Sequence, residues 1–272
     1  MIDDTATYGF EVSVDEASYL VEHLDLGGRL PEVLALYNPM TGPDLAPIWK
    51  ALQHQRLTER GILTHTGVLP EVTSLIRTLG EANETLAIRI IPLHQPDTML
   101  RAAIATLRDR FVVAHRTRDI VLVQPVPANE WGNAASQVLG AVLGAVDPAP
   151  LTQPAYLSAN EITRIINTAP GATTDLLVNL GIPARDAEIL NAASHPDVAT
   201  ELAATRRVDG VTRRTTTAIT ILDTEQYGRL IAWPQTGADH QTRFTYAPAD
   251  PQRLNTAINA LFAQLPFPSS VF

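Results

Sequence analysis

The residues able to carry out acid–base or metal chemistry are few and scattered along the chain. The seven histidines include no two that are three or four residues apart, so no helix face offers a pair of imidazoles to a metal ion. The nearest approach to a catalytic constellation is Ser194-His195-Pro196-Asp197, but a triad needs three groups that converge from separate elements. A helix C-terminus explains this segment better, because His favours the negative end of the helix dipole and Pro ends helices. We therefore predict no catalytic residue, no metal site and no cofactor.

Composition narrows the class of protein further. The 272 residues include no Cys, which excludes disulfides, thiolate zinc sites and Cys nucleophiles. Twenty Lys and Arg against 29 Asp and Glu give a formal net charge of −9, which argues against nucleic acid and anionic membranes as partners. Motifs for phosphate loops, dinucleotide binding, nucleophile elbows and zinc proteases are absent from the sequence. The acidic N-terminus does not resemble a secretory signal, and the most apolar run, 134–146, is too short to span a bilayer, so we expect a cytoplasmic protein.

Four arginines flank the strongest hairpin turn signal in the chain, Asp209-Gly210. They are Arg206 and Arg207 before the turn and Arg213 and Arg214 after it. Two functions remain open for them at this point. They protect the edge of a long strand, or they pair with acidic residues of a partner protein.

A small, flat face follows this hairpin in the predicted strand 212–222. Strand alternation places Thr216, Ala218, Thr220 and Leu222 on one face, and Thr215, Thr217, Ile219 and Ile221 on the other. A predicted helix over 172–180 adds apolar surface in the same half of the chain. Such a face is buried under a helix of its own chain or under one from another chain. The candidate partner-binding residues are Leu176, Leu177, Leu180, Arg213, Arg214, Thr216, Ala218 and Thr220.

The elements that must position these residues alternate between helices and strands. Two capping boxes, Ser13 with Glu16 and Ser158 with Glu161, mark helix starts. A stripe of Leu45, Ile48, Trp49 and Leu52 predicts the buried face of one helix. The predicted helices cover 45–60, 70–79, 129–145, 158–168, 172–180 and 184–194, with one after Ser13 that ends at Gly27-Gly28 and one after Asp250. The predicted strands cover 9–14, 85–92, 100–108, 110–116, 119–125, 199–208, 212–222, 228–234 and 242–247.

This order predicts an α+β fold whose second half repeats the first. The helix–Gly–strand passage at 70–90 has a counterpart about 115 residues later, at 184–205. We expect two antiparallel half-sheets that join edge to edge and are related by a pseudo-two-fold axis, because the join buries edges that otherwise invite aggregation. The predicted units are 1–128, N-terminal helices with a meander, and 129–272, a helical bundle with a meander and a final helix. Together they form one compact fold.

Several segments resemble the EspG family, the cytosolic chaperones of type VII (ESX) secretion in actinobacteria. They are Phe10-Glu11-Val12-Ser13-Val14-Asp15-Glu16-Ala17, Leu30-Pro31-Glu32-Val33-Leu34-Ala35-Leu36, and the hairpins around Met99-Leu100-Arg101-Ala102, Asp109-Arg110-Phe111-Val112-Val113-Ala114 and Asp119-Ile120-Val121. The resemblance implies a central antiparallel sheet with two helical subdomains.

The same resemblance implies a function without catalysis. It implies a chaperone that binds PE–PPE heterodimers and captures the apolar helical tip of the PPE protein, so that the tip stays soluble before export. Family members dock that tip mainly on the second-half sheet and the C-terminal helical bundle, which here correspond to strand 212–222 and helices 172–194. A homodimer of the free protein is left open.

The alternative from another class is a small-molecule enzyme or a ligand-binding α+β domain. An enzyme predicts a deep cleft with converging titratable groups, whereas a chaperone predicts an open, shallow groove without them. A structural subunit that has no client differs from both in lacking such a groove.

Overall fold

Blocks of helices and runs of strands alternate along the chain. The computed structural model describes residues 9–26, 30–37, 42–169, 171–236 and 241–266. The helices are α1 (Val14–His23), α2 (Ala46–Glu59), α3 (Pro70–Glu81), α4 (Trp131–Leu143), α5 (Ala159–Ile166), α6 (Thr173–Asn179), α7 (Ala184–Ala193) and α8 (Pro251–Phe262), with 3₁₀ turns at Glu32–Leu34 and Pro96–Thr98. The predicted helix stop at Gly27-Gly28 lies outside the described residues, and α1 ends before it.

The strands form one large sheet and one small hairpin. They are β1 (Phe10–Ser13), β2 (Leu63–Thr64), β3 (Gly67–Val68), β4 (Glu84–Pro92), β5 (Leu100–Leu107), β6 (Arg110–Thr117), β7 (Ile120–Val126), β8 (Ala155–Ser158), β9 (Val198–Val208), β10 (Val211–Arg214), β11 (Ile219–Thr224), β12 (Gly228–Thr236) and β13 (Thr242–Pro248). The large sheet has the order β1-β7-β6-β5-β4-β9-β11-β12-β13-β8, with β10 paired to β9, while β2 pairs with β3 alone. All the named pairs are antiparallel, which confirms the predicted α+β class.

The two half-sheets meet at the pairing of β4 with β9. This seam runs in continuous register from Glu84 opposite Arg206 to Pro92 opposite Val198. Outward from the seam, each half contributes its meander strands and ends on a four-residue strand, β1 on one side and β8 on the other. The sequence did not predict β8. The pseudo-two-fold relation between the halves and the division into 1–128 and 129–272 stay predictions.

Each outermost strand leads directly into a helix through a predicted capping box. The hydroxyl of Ser13 accepts from the backbone N–H of Glu16, and the Glu16 carboxylate accepts from the backbone N–H of Ser13. Ser158 and Glu161 repeat this exchange at the start of α5. The reciprocal bonds satisfy N–H groups that a helix start otherwise leaves unpaired, so both helices begin at a fixed residue.

Helices cover the two faces of the sheet differently. Successive strand residues point to opposite faces, and Ile104 and Val113 pack in one core with α4 and α8, whereas Ala103 and Val112 pack in another with α1–α3. On the same side as α1–α3, but over the second half-sheet, α6 and α7 pack on Leu230. One face is therefore covered at its centre by α4 and α8. The other face, called here the groove face, carries two separate helical layers with the β4–β9 seam between them.

The predicted continuous strand 212–222 is wrong, because the chain leaves the sheet between β10 and β11. The N–H of Thr215 donates to the Ala204 carbonyl, and its hydroxyl accepts from the Ala204 N–H. From Arg214 opposite Thr205 to Ile219 opposite Leu202, the chain uses five residues against three on β9. Two residues are therefore extra, and they bulge out of the ladder.

The predicted buried stripe of α2 is also wrong. Trp49 is buried, but Leu45, Ile48 and Leu52 are 53%, 67% and 42% exposed. The helix instead buries a face spaced at four residues, Trp49, Gln53 and Leu57. Because Gln53 is polar, a search of the sequence for apolar stripes does not find this face, although Gln53 lies on it.

Candidate partner-binding groove

A groove crosses the middle of the sheet on the groove face. Its floor consists of two directly opposed pairs across the seam, Thr85 with Thr205 and Ala87 with Ala203. Thr85, Ala87 and Thr205 line a cavity of about 380 Å³. Its wall on the side of the first helical layer includes Pro31, Glu32, Val33, Leu79 and Ala82. We call this the mid-sheet groove.

Charged side chains stand at both ends of the mid-sheet groove. Arg89 and Glu201 oppose each other across the seam, with Nη1 and Oε2 3.7 Å apart. At the other end, Arg207 and Arg214 line the cavity together with Thr212. The floor between these ends is small and weakly polar, so the groove combines a flat centre with charged margins.

The structure separates the two predicted hairpin arginines. Arg214 lies opposite Thr205 and therefore on the groove face, where it lines the cavity. Arg213 lies opposite Arg206, and strand alternation places both on the other face. Of these two arginines, only Arg214 thus lines the groove.

Of the predicted threonines, Thr220 lies on β11, the strand next to the seam. It lies opposite Glu201 on β9 and opposite Ala232 on β12, next to the groove floor. Ala218 is half-buried immediately before β11 begins. The face predicted for strand 212–222 is therefore present only from Thr220 onward.

Thr216 lies elsewhere, in the two-residue bulge. It lines a second cavity of about 1050 Å³, which also includes Tyr156 and residues near the end of α8. Its neighbour Thr217 donates a hydrogen bond of 2.9 Å from Oγ1 to Oε1 of Gln264. The bulge is thus tied to the turn that follows α8 rather than to the mid-sheet groove.

The three predicted leucines of α6 support the second helical layer. Leu177 is 1% exposed and packs in the core formed with α7. Leu180 is half-buried against the same core, and Leu176 lines a shallow cavity between α5 and α6. Leu177 therefore supports this layer from inside the protein, whereas Leu176 lines a shallow cavity.

Arg206 is not an exposed hairpin cation. Its Nε donates to Oε1 of Glu84 at 2.7 Å, and its Nη1 donates to the backbone carbonyl of Leu265 at 3.0 Å. The other Glu84 oxygen accepts from Nε1 of Trp131 at 2.8 Å. This buried network joins the seam to α4 and the segment after α8, so the Arg206 guanidinium is paired within the chain.

The Ser194-His195-Pro196-Asp197 segment does not form a triad. Asp197 accepts from the backbone N–H of Glu225 and contacts Nε2 of His94 at 3.2 Å, while His195 contacts Ser194 Oγ beside the end of α7. The hydrogen bond from Glu225, and then the one with His94, lower the pKa of Asp197. This carboxylate therefore ties the start of β9 to a neighbouring turn.

Two further groups with shifted pKa values lie on separate strands. Burial lowers the pKa of His115 on β6 and raises the pKa of Tyr246 on β13. Within the described ranges, no group of three or more His, Asp and Glu side chains has a geometry that would hold a metal ion. No helix in the described part of the chain combines the length and apolar character needed to cross a bilayer.

Sequence reasoning missed the first-half residues of the groove. Thr85, Ala87 and Arg89 alternate with the large residues Leu86 and Ile88 along β4. A strand that carries large apolar residues on one face and short or charged ones on the other is half-covered, and this signal was available in the sequence. It indicates that β4, like β11, has one face that is not fully covered by helices of the chain.

Comparison with known proteins gives one consistent result. The family model of the EspG family matches residues 13–260. The chain is 30% identical over 269 residues to the ESX-1 secretion-associated protein EspG1 of Mycobacterium tuberculosis, covering 95% of this chain and 88% of that protein. It is 29% identical over 263 residues to the Mycobacterium marinum protein of the same name, covering 95% and 89%.

A solved structure shares the fold. It is the Mycobacterium tuberculosis type VII secretion system chaperone EspG5 in complex with the PE25–PPE41 dimer. The TM-score is 0.77 at 18% sequence identity, and the alignment covers 96% of this chain and 98% of that chain. At this level of identity the likeness concerns the arrangement of the sheet and helices.

Proposed function

The chain belongs to the EspG family, and we propose on this premise that it is a type VII secretion chaperone that binds a PE–PPE heterodimer in the cytoplasm. The fold it shares with a chaperone solved in complex with such a dimer supports this proposal. The chaperone keeps its client soluble and releases it for export.

The mid-sheet groove is the observation that carries the proposal. Thr85, Ala87 and Thr205 line the cavity, and Ala203 lies opposite Ala87 on the same face of the sheet. These side chains are short enough for the backbone of a helix to approach closely. A helix with its side chains is about 10–12 Å across, and apolar helices commonly bind in grooves between other helices. We propose that the apolar helical tip of the PPE protein occupies this groove, and that the second helical layer, with Leu176 and Leu180, and the β10–β11 segment extend the contact.

The enzyme alternative receives no such support from the described residues. The groups with shifted pKa values, Asp197, His115 and Tyr246 among them, are placed on different elements and do not converge on the mid-sheet groove. A groove floored by Ala and Thr offers shape and apolar contact, which suits the binding of a protein surface.

A single substitution in the groove floor tests the proposal. The protein is co-expressed with each PE–PPE pair of its own genome, and a pair that co-purifies is then titrated against Ala203→Arg. The long side chain fills the flat centre of the groove, so we expect at least a ~100-fold loss of affinity, in line with the effect of a clash or an unpaired charge at an interface core. Ala141→Arg is the matched control, because Ala141 is exposed on α4, over the opposite face.

The melting temperature separates a binding defect from a folding defect. Ala203 is half-buried and faces the groove, so the Ala203→Arg protein should melt within a few degrees of the wild type. Full affinity in a folded Ala203→Arg protein would remove the mid-sheet groove from the binding surface. If the wild type co-purified with none of the PE–PPE pairs, the proposed function itself would be contradicted.

A further inference from the structure

Three arginines lie side by side on the groove face of the first half-sheet. Arg101 on β5 is directly opposite Arg89 on β4 and directly opposite Arg116 on β6. Like charges in directly opposed positions destabilise a sheet. The arrangement therefore requires groups that compensate these charges.

Arg116 is compensated within the chain. Its Nη1 donates to the backbone carbonyls of Leu34 at 2.9 Å and Ala35 at 2.5 Å, and its Nε donates to the Arg118 carbonyl at 2.7 Å. These bonds fix the guanidinium against the 3₁₀ turn Glu32–Leu34. Arg116 is thus a structural residue of the first helical layer.

Arg89 and Arg101 are compensated poorly. Arg89 has a distant carboxylate, Glu201, and the two side chains are 42% and 49% exposed. Arg101 is half-buried, and its guanidinium has no hydrogen bond or ion pair with any residue that the structure describes. Arg89 lines one end of the mid-sheet groove, and Arg101 lies beside it on the next strand, so two guanidinium groups on this face are matched by one carboxylate.

The opposite end of the groove is also cationic. Arg207 and Arg214 line the cavity there, and Glu32 on the wall is the one acidic residue among the described lining residues. From the Glu201 position to those of Thr205 and Arg207 on β9 the distance along the strand is about 13–20 Å at ~3.3 Å per residue. A protein with a net charge of −9 thus has a local positive region at each margin of a flat, weakly polar floor.

We infer that the mid-sheet groove selects an apolar helical tip that carries carboxylates on both of its flanks. This inference rests on the proposed function and adds the charge of the client. One carboxylate binds between Arg89 and Arg101, and the other binds at Arg207 and Arg214. The planar guanidinium matches a carboxylate with two parallel hydrogen bonds, which gives the tip a fixed orientation along the seam.

Removal of one guanidinium tests the inference. The affinity of the co-purifying PE–PPE heterodimer is measured at 50 and 300 mM salt for the wild type, Arg101→Gln and the control Arg110→Gln. Arg110 is exposed at the tip of the β5–β6 hairpin, so the control removes the same charge outside the groove. We expect Arg101→Gln to bind ~10- to 100-fold more weakly at low salt and to depend less on salt, whereas Arg110→Gln behaves as the wild type.

Stability gives a second readout that a merely structural arginine would not reproduce. Because Arg101 opposes two other arginines, Arg101→Gln should melt at the same temperature as the wild type or higher. A charge exchange then identifies the partner group. Arg101→Glu should abolish binding, and replacing the facing acid of the client tip by Arg should restore it.

Three results would overturn the inference. If Arg101→Gln binds the heterodimer as the wild type does at both salt concentrations, the charge selection is wrong while the proposed function stands. If the wild type binds no PE–PPE heterodimer, both fall. If the free protein is a dimer that Arg101→Gln converts to a monomer without weakening client binding, the arginines serve contact between two copies of this chain.

Discussion

At the scale of single residues, the ion pair between Arg206 and Glu84 at the seam is the interaction whose loss should destabilise the fold most clearly, because it is buried. Arg206 and Glu84 have side chains that are 8% and 24% exposed, and Trp131 and the Leu265 carbonyl complete their hydrogen bonds. A buried charge that loses its partner is costly, whereas an exposed pair contributes little. The pair therefore fixes the register of β4 against β9, and with it the floor of the groove.

Removal of Glu84 should show this difference. We expect Glu84→Ala to lower the free energy of unfolding by about 3–5 kcal/mol, because Arg206 keeps a buried charge without its carboxylate. The control is Glu81→Ala, which breaks the exposed pair of Arg77 and Glu81 and should cost less than ~1 kcal/mol. Urea denaturation monitored by tryptophan fluorescence measures both values. Equal effects of the two substitutions would contradict the role assigned to the seam pair.

His115 should make the stability of the protein sensitive to acid. Burial lowers the pKa of its imidazole, and its Nε2 is buried without a hydrogen-bond partner among the described residues. Below the unfolded-state pKa of about 6.5 the unfolded chain therefore binds more protons than the folded one, so stability falls as the pH falls. The melting temperature of the wild type should drop more between pH 7.5 and 5.5 than that of His115→Leu, and parallel curves for the two proteins would refute this origin of the acid sensitivity.

Residue types in the sequence identified the hairpin arginines but not their separate roles. Arg206, Arg213 and Arg214 look alike in the sequence, and only the pairing register shows that Arg206 meets Glu84 across 122 residues. Likewise, Asp197 forms hydrogen bonds with His94 and with the backbone N–H of Glu225 rather than with its neighbour His195. Sequence spacing predicts which residues share a face of one element, but it does not predict which distant element lies opposite.

At the scale of elements, local signals predicted helix starts well and burial less well. The capping boxes at Ser13 and Ser158 are formed by the residues that the sequence indicates, because the bonds involve atoms three residues apart. The buried face of α2 is set by what packs against it, so its most apolar stripe is not the buried one. For the same reason β8 was missed, since four residues become a strand only where β13 offers an edge.

The orientation of α2 is testable with two substitutions on opposite sides of the helix. Ile48 is 67% exposed, so Ile48→Gln should change the free energy of unfolding by no more than ~0.5 kcal/mol. Leu57 is fully buried, so Leu57→Ala should cost about 2–5 kcal/mol. Thermal or urea denaturation of both proteins measures the contrast. A costly Ile48→Gln beside a mild Leu57→Ala would mean that the helix is turned the other way.

At the scale of the whole molecule, the seam makes the two halves depend on each other. β4 and β9 are the inner strands of the large sheet and pair along the full length of β4. An unpaired inner strand of this kind is a long edge that promotes aggregation. The two halves predicted from the sequence should therefore not be stable when separated.

Expression of the halves tests this dependence. We expect the fragment 1–128 alone to be insoluble or aggregated, and co-expression with the fragment 129–272 to return both to the soluble fraction as a complex. Size-exclusion chromatography of the lysates distinguishes the cases. A monomeric, folded 1–128 fragment would show that β4 does not need β9, and would move the boundary between cooperative units to the seam.

The same pairing has a consequence for the protein while it is being made. Glu84 and Arg206 are 122 residues apart in the chain, so β4 leaves the ribosome long before β9 exists. At ~5–20 residues per second the interval is about 6–24 s, in which the first meander is completed while one edge of β4 stays bare. β1 has by then been able to pair with β7, and β4 with β5, since all four precede position 127, but the edge of β4 that later meets β9 has no partner. A nascent chain of this protein therefore passes through a period in which it presents to the cytosol an open strand edge, and polysomes that carry several such chains bring those edges close together.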